Sequence, residues 1–194
     1  MKFVLFLLTM SFSCSLFAEK STDSFIRFNG FELEKTQLSD VIDSVGETEI
    51  HKDGDAGESY TGICYYYPNE DITIFYESGE LGGSKTLLTY KVVKGHKAKF
   101  KCLKIHETVT EFSISGLKID LTLKDAIDFL PNMPYKVRGL SYIYWNKIPF
   151  NKDDYRRLNL KHEGNYVWDE LVTIELYENN NLLTGYSVTR VITR

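Results

Sequence analysis

The 194-residue chain has few cysteines, histidines and tryptophans, and it lacks the spacings that would give them chemistry. His51, His96, His106 and His162 stand in neither an H-x-x-x-H nor an H-E-x-x-H arrangement, so no helix offers a zinc pair. There is no G-x-S-x-G elbow, phosphate loop or dinucleotide fingerprint. His51-Lys-Asp53-Gly-Asp55-Ala-Gly57-Glu58 comes nearest to a cation loop but fails the calcium pattern. Gly57 stands where the third ligand belongs, and Cys64 where the closing glutamate belongs. Glu77 and Glu80 lie beside Gly82-Gly83 in a hairpin loop, with nothing nearby to shift a carboxyl pKa. These absences point away from an enzyme and call for no metal and no cofactor. With 23 basic against 27 acidic residues the net charge is −4, which excludes the basic field of general nucleic-acid binding. Beyond the N-terminus no segment reaches the ~18 apolar residues of a membrane-spanning helix.

The N-terminus is where the apolar residues concentrate. Met1 to Ala18 reads MKFVLFLLTMSFSCSLFA, with Lys2, an apolar run from Phe3 to Met10 and a small residue at Ala18. Charge, core and cleavage site come in the order of a secretory signal peptide. The pattern predicts a cut between Ala18 and Glu19, and a mature protein that is periplasmic or secreted. Cys14 falls inside this segment, preceded by Ser11, Phe12 and Ser13. Lipid attachment there is an alternative, although the leucine it would want three residues earlier is missing. Cys64 and Cys102 remain, an even pair in an oxidising compartment. A disulfide is expected, worth about 4 kcal/mol in the chain-entropy model. Two buried thiols are the other reading.

Hydrophobic residues make up 43% of the chain and aromatics 14%, enough for a packed core and too many for a disordered tail. One pattern occurs twice. Leu38–Val45 reads L-x-D-V-I-D-x-V, and Leu123–Leu130 reads L-x-D-A-I-D-x-L. Apolar residues at i, i+3, i+4 and i+7 predict two amphipathic helices. Thr122 with Asp125 forms a capping-box signature, while Gly46 and Pro131 end the two helices. Upstream, Asn29–Leu33 and Ser115–Ile119 are Gly-centred extended stretches. Downstream, Tyr76-Glu77 faces Tyr177-Glu178, each at an expected hairpin turn. The order predicts an α+β fold of two similar units, each a short helix packed on antiparallel strands. The first spans 19–95 and the second 110–194, with a connecting strand in 96–109.

Strands are expected at Ile63–Tyr67, Ile72–Tyr76, Leu87–Val93, Val172–Tyr177 and Tyr186–Ile192, all rich in Tyr, Val, Ile and Thr. Lys97–Ile105 alternates, with Lys97, Lys99 and Lys101 on one face and Ala98, Phe100 and Cys102 on the other. Its lysines read as a solvated face or a protected sheet edge.

Leu38 to Tyr76 is shorter than Leu123 to Tyr177, so the second unit carries an aromatic insert, placed at about 132–169. Both tryptophans lie in it. Insertions in repeated units map to loops, and Tyr, Trp and Arg are enriched at interface hot spots. Tyr142, Tyr144, Trp145, Asp153, Asp154, Tyr155 and Arg156 are therefore the candidate partner-binding residues. A second small core beneath a long loop fits the same residues.

The exported, disulfide-bonded, duplicated helix-plus-sheet layout resembles small bacterial envelope proteins that act as inhibitors or immunity proteins. The tandem-repeat β-lactamase inhibitor proteins are one architectural relative. The resemblance rests on the two helix segments and the two Tyr-Glu hairpins. It implies a non-catalytic binder of an exported toxin or hydrolase, and it assigns no functional residue. An envelope maintenance or assembly factor, lipid-anchored through Cys14, is the alternative.

Overall fold

The chain first reverses at two left-handed residues. The computed structural model describes residues 21–193 except 55–58, 84, 98–99, 107–110, 133 and 162–163, so Met1–Ala18, Cys14 included, lies outside the described residues. Asn29 and Gly30 have φ of 51° and 85°. Positive φ at both central residues makes a type I′ turn, whose twist suits a two-residue hairpin. It joins β1 (Arg27–Phe28) to β2 (Phe31–Glu32). Helix α1 (Leu38–Val45) buries Leu38 and Val41. The Gln37 N–H donates to Asp40 Oδ2 at 2.8 Å, and Gly46 at φ 131° closes the other end. Then come β3 (His51–Asp53), β4 (Tyr60–Tyr67), β5 (Ile72–Gly79), β6 (Thr89–Lys94) and β7 (Leu103–Lys104).

Helix α2 (Leu123–Asp128) opens with Thr122 Oγ1 accepting from the Asp125 N–H at 3.2 Å and donating to Asp125 Oδ2 at 2.7 Å. It is followed by β8 (Lys136–Arg138), β9 (Ser141–Pro149), α3 (Lys152–Arg157), β10 (Val167–Asn179) and β11 (Leu182–Thr193). The class is α+β, with few helices and much antiparallel sheet.

Among the described residues, β3 to β11 form one sheet in the order β3-β4-β5-β6-β11-β10-β9-β8, with β7 added parallel to β4. Side chains alternate across it. Ile63, Tyr65, Ile74, Tyr76, Tyr90, Val92, Tyr144, Val172, Ile174, Tyr186 and Val188 point to the face covered by α1 and α2, where they form the main core. Cys64, Phe75 and Val93 point to the other, outer face.

Several details of the first half recur in the second. Ser115 and Gly116, at φ 50° and 90°, repeat the turn of Asn29 and Gly30. The Glu34 N–H donates to the Leu87 carbonyl at 2.8 Å, and the Asp120 N–H to the Leu183 carbonyl at 2.9 Å. The Leu38 N–H donates to the Lys85 carbonyl at 2.8 Å, and the Leu123 N–H to the Asn181 carbonyl at 3.0 Å. The Tyr90 hydroxyl donates to the Phe25 carbonyl at 2.8 Å, and the Tyr186 hydroxyl to the Phe112 carbonyl at 3.0 Å.

The match of Tyr76-Glu77 to Tyr177-Glu178 is one residue out. Tyr76 lies opposite Tyr90, whereas Leu176, not Tyr177, lies opposite Tyr186. A slip of one residue changes the face. Tyr76 is buried under the helices, and Tyr177 packs on the outer face against the Cys64, Phe75 and Val93 cluster. Nor does Lys97–Ile105 form one strand: pairing is confined to Leu103–Lys104, with Ala98 and Lys99 outside the described residues. The cause is the Cys64–Cys102 disulfide, which holds Cys102, with Phe100 beside it, against the outer face rather than along an edge. Strand β6 starts at Thr89 rather than Leu87, because the fully buried Leu87 instead donates its N–H to the Thr36 carbonyl at 2.8 Å.

The equivalent turns differ in what lies above them. A Cβ on Gly116 would run into the Phe129 ring, whereas one on Gly30 would meet nothing within 4 Å. Gly30→Ala should therefore cost about 1–2 kcal/mol, for an L-residue at positive φ. Gly116→Ala should cost about 1–3 kcal/mol more, for overpacking. Urea unfolding of the two variants checks the ordering. Equal costs would show that Phe129 yields.

Candidate interaction face

Strand pairing decides which of the candidate residues can act together. β9 pairs with β10 along its length, so Tyr144 lies opposite Val172 and Trp145 opposite Leu171. Tyr144 points into the helix-covered core, is 4% exposed, and donates its hydroxyl to the Pro131 carbonyl at 3.0 Å. Burial pushes that hydroxyl up to about 12. Tyr144 is thus a core residue, and Tyr142 lies on the same side of the strand, partly buried against that core. Trp145 points to the outer face and is 43% exposed. Tyr144 and Trp145 therefore point to opposite faces of the sheet, meeting only at a cleft that both line with Tyr135, Asn146 and Glu170, and neither sits in a loop.

The insert proper is the β9–β10 connection, residues 150–166, against 68–71 between β4 and β5. It builds a small aromatic core of its own. Phe150 is 8% exposed, and its ring lies 5.8 Å from Tyr155, 5.8 Å from Tyr166 and 4.7 Å from Trp168. The Tyr155 hydroxyl donates to the Gly164 carbonyl at 2.7 Å. Asp154 caps α3 by accepting from the Asn151 N–H at 2.9 Å. Asp153 and Arg156 form an exposed ion pair at 3.2 Å. Tyr155 and Asp154 are thus committed to holding the loop, and Asp153 and Arg156 lie on its surface.

Trp145 is what the structure leaves outward, and it has a setting. Its Nε1 donates to Asp169 Oδ1 at 2.9 Å, Tyr135 meets it edge-on at 5.3 Å, and the Lys147 ammonium lies 5.3 Å from its ring centre. Leu171, 38% exposed, lies directly across the strand pair, and Val191 follows it on β11. Tyr135 is 65% exposed. The sequence reading missed Tyr135, Lys147 and Leu171. The signal that could have found Leu171 is the period-two alternation of 141–149 and 167–175, which puts odd-numbered residues of both strands on one face.

Towards the sheet centre this face turns polar. The Tyr177 hydroxyl lies 3.0 Å from Glu175 Oε2 and 3.0 Å from Ser187 Oγ, and the Lys91 ammonium lies 4.7 Å from its ring centre. Burial, helped by Glu175, pushes the Tyr177 hydroxyl up to about 12. Glu77, expected in a hairpin loop with nothing to shift it, instead lies within β5 between Gly62 and Thr89, and burial there raises its carboxyl above the ordinary range, with Lys91 pulling the other way. These groups hold one another, with the Ser187 hydroxyl also 3.4 Å from Glu175 Oε2. Among the described residues no three of His, Cys, Asp and Glu come together as a metal site, and no helix is long and apolar enough to cross a membrane. No protein-family model, curated protein or solved structure matches the chain.

Proposed function

We propose that the chain is an exported, non-catalytic protein-binding protein of the inhibitor or immunity type, which neutralises an exported toxin or hydrolase. The single observation that carries this reading is the outer-face row Trp145–Leu171–Val191 on the antiparallel sheet, flanked by Tyr135 and Lys147, in which Trp145 and Leu171 are exposed and Val191 is half-buried. Rigid aromatic anchors surrounded by apolar and charged neighbours are what binding hot spots are made of. The disulfide supports export and fastens the other half of the same face, so little ordering cost falls on binding. The recurring turns and helix-seating hydrogen bonds, with strand orders that mirror each other about β6 and β11, support a duplicated unit as the origin of the fold.

The test is retention of a partner from envelope and secreted fractions by the immobilised, oxidised protein starting at Glu19, followed by assay of the partner's own activity. One stoichiometric partner whose activity falls on binding is expected. Trp145→Ala should then weaken binding by about 10- to 30-fold, or about 1.4–2 kcal/mol, with unfolding unchanged. Unaltered affinity in that variant would remove the outer face from the proposal, and no retained partner at any salt would remove the function.

A further inference from the structure

The two halves differ where the hairpin, the helix end and the sheet meet. In the second half this corner is filled, with the Phe129 ring over Gly116 and the apolar Leu176 on the sheet beneath. The matching positions in the first half, by the helix pattern and the strand register, are Ser44, Gly30 and Tyr76. Ser44 is exposed, nothing would meet a Cβ on Gly30, and a cavity of about 730 Å³ opens there. That volume is in the range of small-molecule sites.

The floor of the cavity is polar where its counterpart is apolar. Tyr67 and Tyr76 line it, each 2% exposed. Asn29 lies beside the Tyr76 hydroxyl and lowers its pKa against the larger effect of burial. Its Nδ2 is nonetheless buried without a well-formed hydrogen bond. An amide buried like this costs free energy until an acceptor meets it. The walls, Phe31, Val45 and Ile105, are apolar.

The charges around the cavity narrow the ligand. Arg27 lines the cavity with its Nη2 on Glu32 at 2.6 Å, which offsets its charge at the edge of the cavity. Glu111 lines the cavity, as do Ser44 and Val45 of the last turn of α1, the helix end that carries the same sign of charge. A cation, in turn, would find neutral groups at the floor and lose its hydration uncompensated.

We propose that this cavity binds an uncharged small molecule with a flat apolar body and one carbonyl- or hydroxyl-type acceptor. The body sits between Phe31 and Ile105, and the acceptor takes hydrogens from the Tyr76 hydroxyl and, once the Asn29 side chain turns toward the cavity, from Asn29 Nδ2. The site lies on the helix-covered side of the sheet, away from Trp145, and does not depend on the protein-binding reading.

Benzamide is the probe, with ethylbenzene, benzoate and benzamidinium as controls. The measurement is an NMR titration of the oxidised, isotope-labelled protein, read at the Asn29 side-chain amide. Benzamide should shift that resonance saturably at millimolar concentration or below. Each control should bind at least about tenfold more weakly, the equivalent of about 1.4 kcal/mol. Tyr76→Phe keeps the shape and removes one hydroxyl, and should weaken benzamide by about threefold or more. Ser44→Phe rebuilds the filled corner of the second half and should abolish the shift. If that variant does not fold, the Tyr76→Phe comparison decides. No Asn29 shift at about 10 mM benzamide, or equal affinity for all four probes, would overturn the proposal.

Discussion

Replacing Arg190 by alanine should destabilise the protein by about 3–5 kcal/mol, among the largest effects of any single substitution in this fold. Arg190 is 7% exposed, and its partner Glu170 5%. Its Nε donates to Glu170 Oε1 at 2.7 Å, and its Nη1 to the Leu33 carbonyl at 3.1 Å. The other Glu170 oxygen accepts from Asn146 Nδ2 at 2.9 Å. Arg190 thus ties β11, β10 and β9 to the segment that follows the first hairpin. Its removal strands the Glu170 carboxylate in a buried site with only one remaining hydrogen bond. Denaturant unfolding of Arg190→Ala is the measurement, with Glu170→Gln/Arg190→Met as the paired control. The double variant should recover much of the loss, because the uncompensated charge is gone. A loss under about 1 kcal/mol in the single variant would mean that water reaches Glu170 through the cleft that Asn146, Tyr144, Trp145 and Glu170 line, and the buried-pair account would fail.

Glu32 adds a pH-dependent element to the same corner, with Lys35 and Arg27 each 2.6 Å away. Hydrogen bonds from Lys35 and then Arg27 hold its carboxyl below the ordinary value of 4.5. A lowered folded value means the stabilisation is present above about pH 4.5 and fades as the pH falls through that lower value.

Removing the Cys64–Cys102 bridge should cost about 4 kcal/mol, since the bond closes a separation of 38 residues. For a chain of this size that corresponds to a fall of about 8–16 °C in melting temperature. The loss has a local part too. Phe100 packs 5.2 Å from Phe75 and 4.7 Å from His51, and the bridge holds this covering segment on the sheet. Thermal melts of Cys64→Ser/Cys102→Ser against the oxidised parent give the number. A difference below about 2 °C would show that Phe100 and the β7 pairing fasten the segment without the bond.

How much of this was legible before folding depended on the range of the interactions. Leu38–Val45 and Leu123–Asp128 are helices because their apolar spacing, caps and stops lie within a few residues of one another. The same locality made β4, β5, β10 and β11 readable within a few residues. The reading failed where partners are distant. Tyr76 and Tyr177 look equivalent along the chain, but opposite faces separate them, because face follows from register across strands. Lys97–Ile105 alternates like a strand, yet among its described residues only Leu103–Lys104 pairs, and the bond to Cys64 holds Cys102 and Phe100 against the outer face.

The candidate site shows the same division. That the stretch from Tyr142 to Trp168 is an aromatic-rich insert was visible in its composition. That Trp145 faces outward with Leu171 and Tyr135, while Tyr144 and Phe150 are core, depended on pairing with β10 and on the packing of the β9–β10 connection. The Arg190–Glu170 pair joins residues 20 apart whose charges alone predict surface positions. By itself the amino-acid order determined class, the positions of α1 and α2 and the cysteine pair, since these rest on short-range periodicity and on counting, whereas α3 went unread inside the aromatic insert. The tertiary structure decided faces, the open cavity beside Ser44 and the exposed tryptophan, because each depends on which distant strand lies alongside.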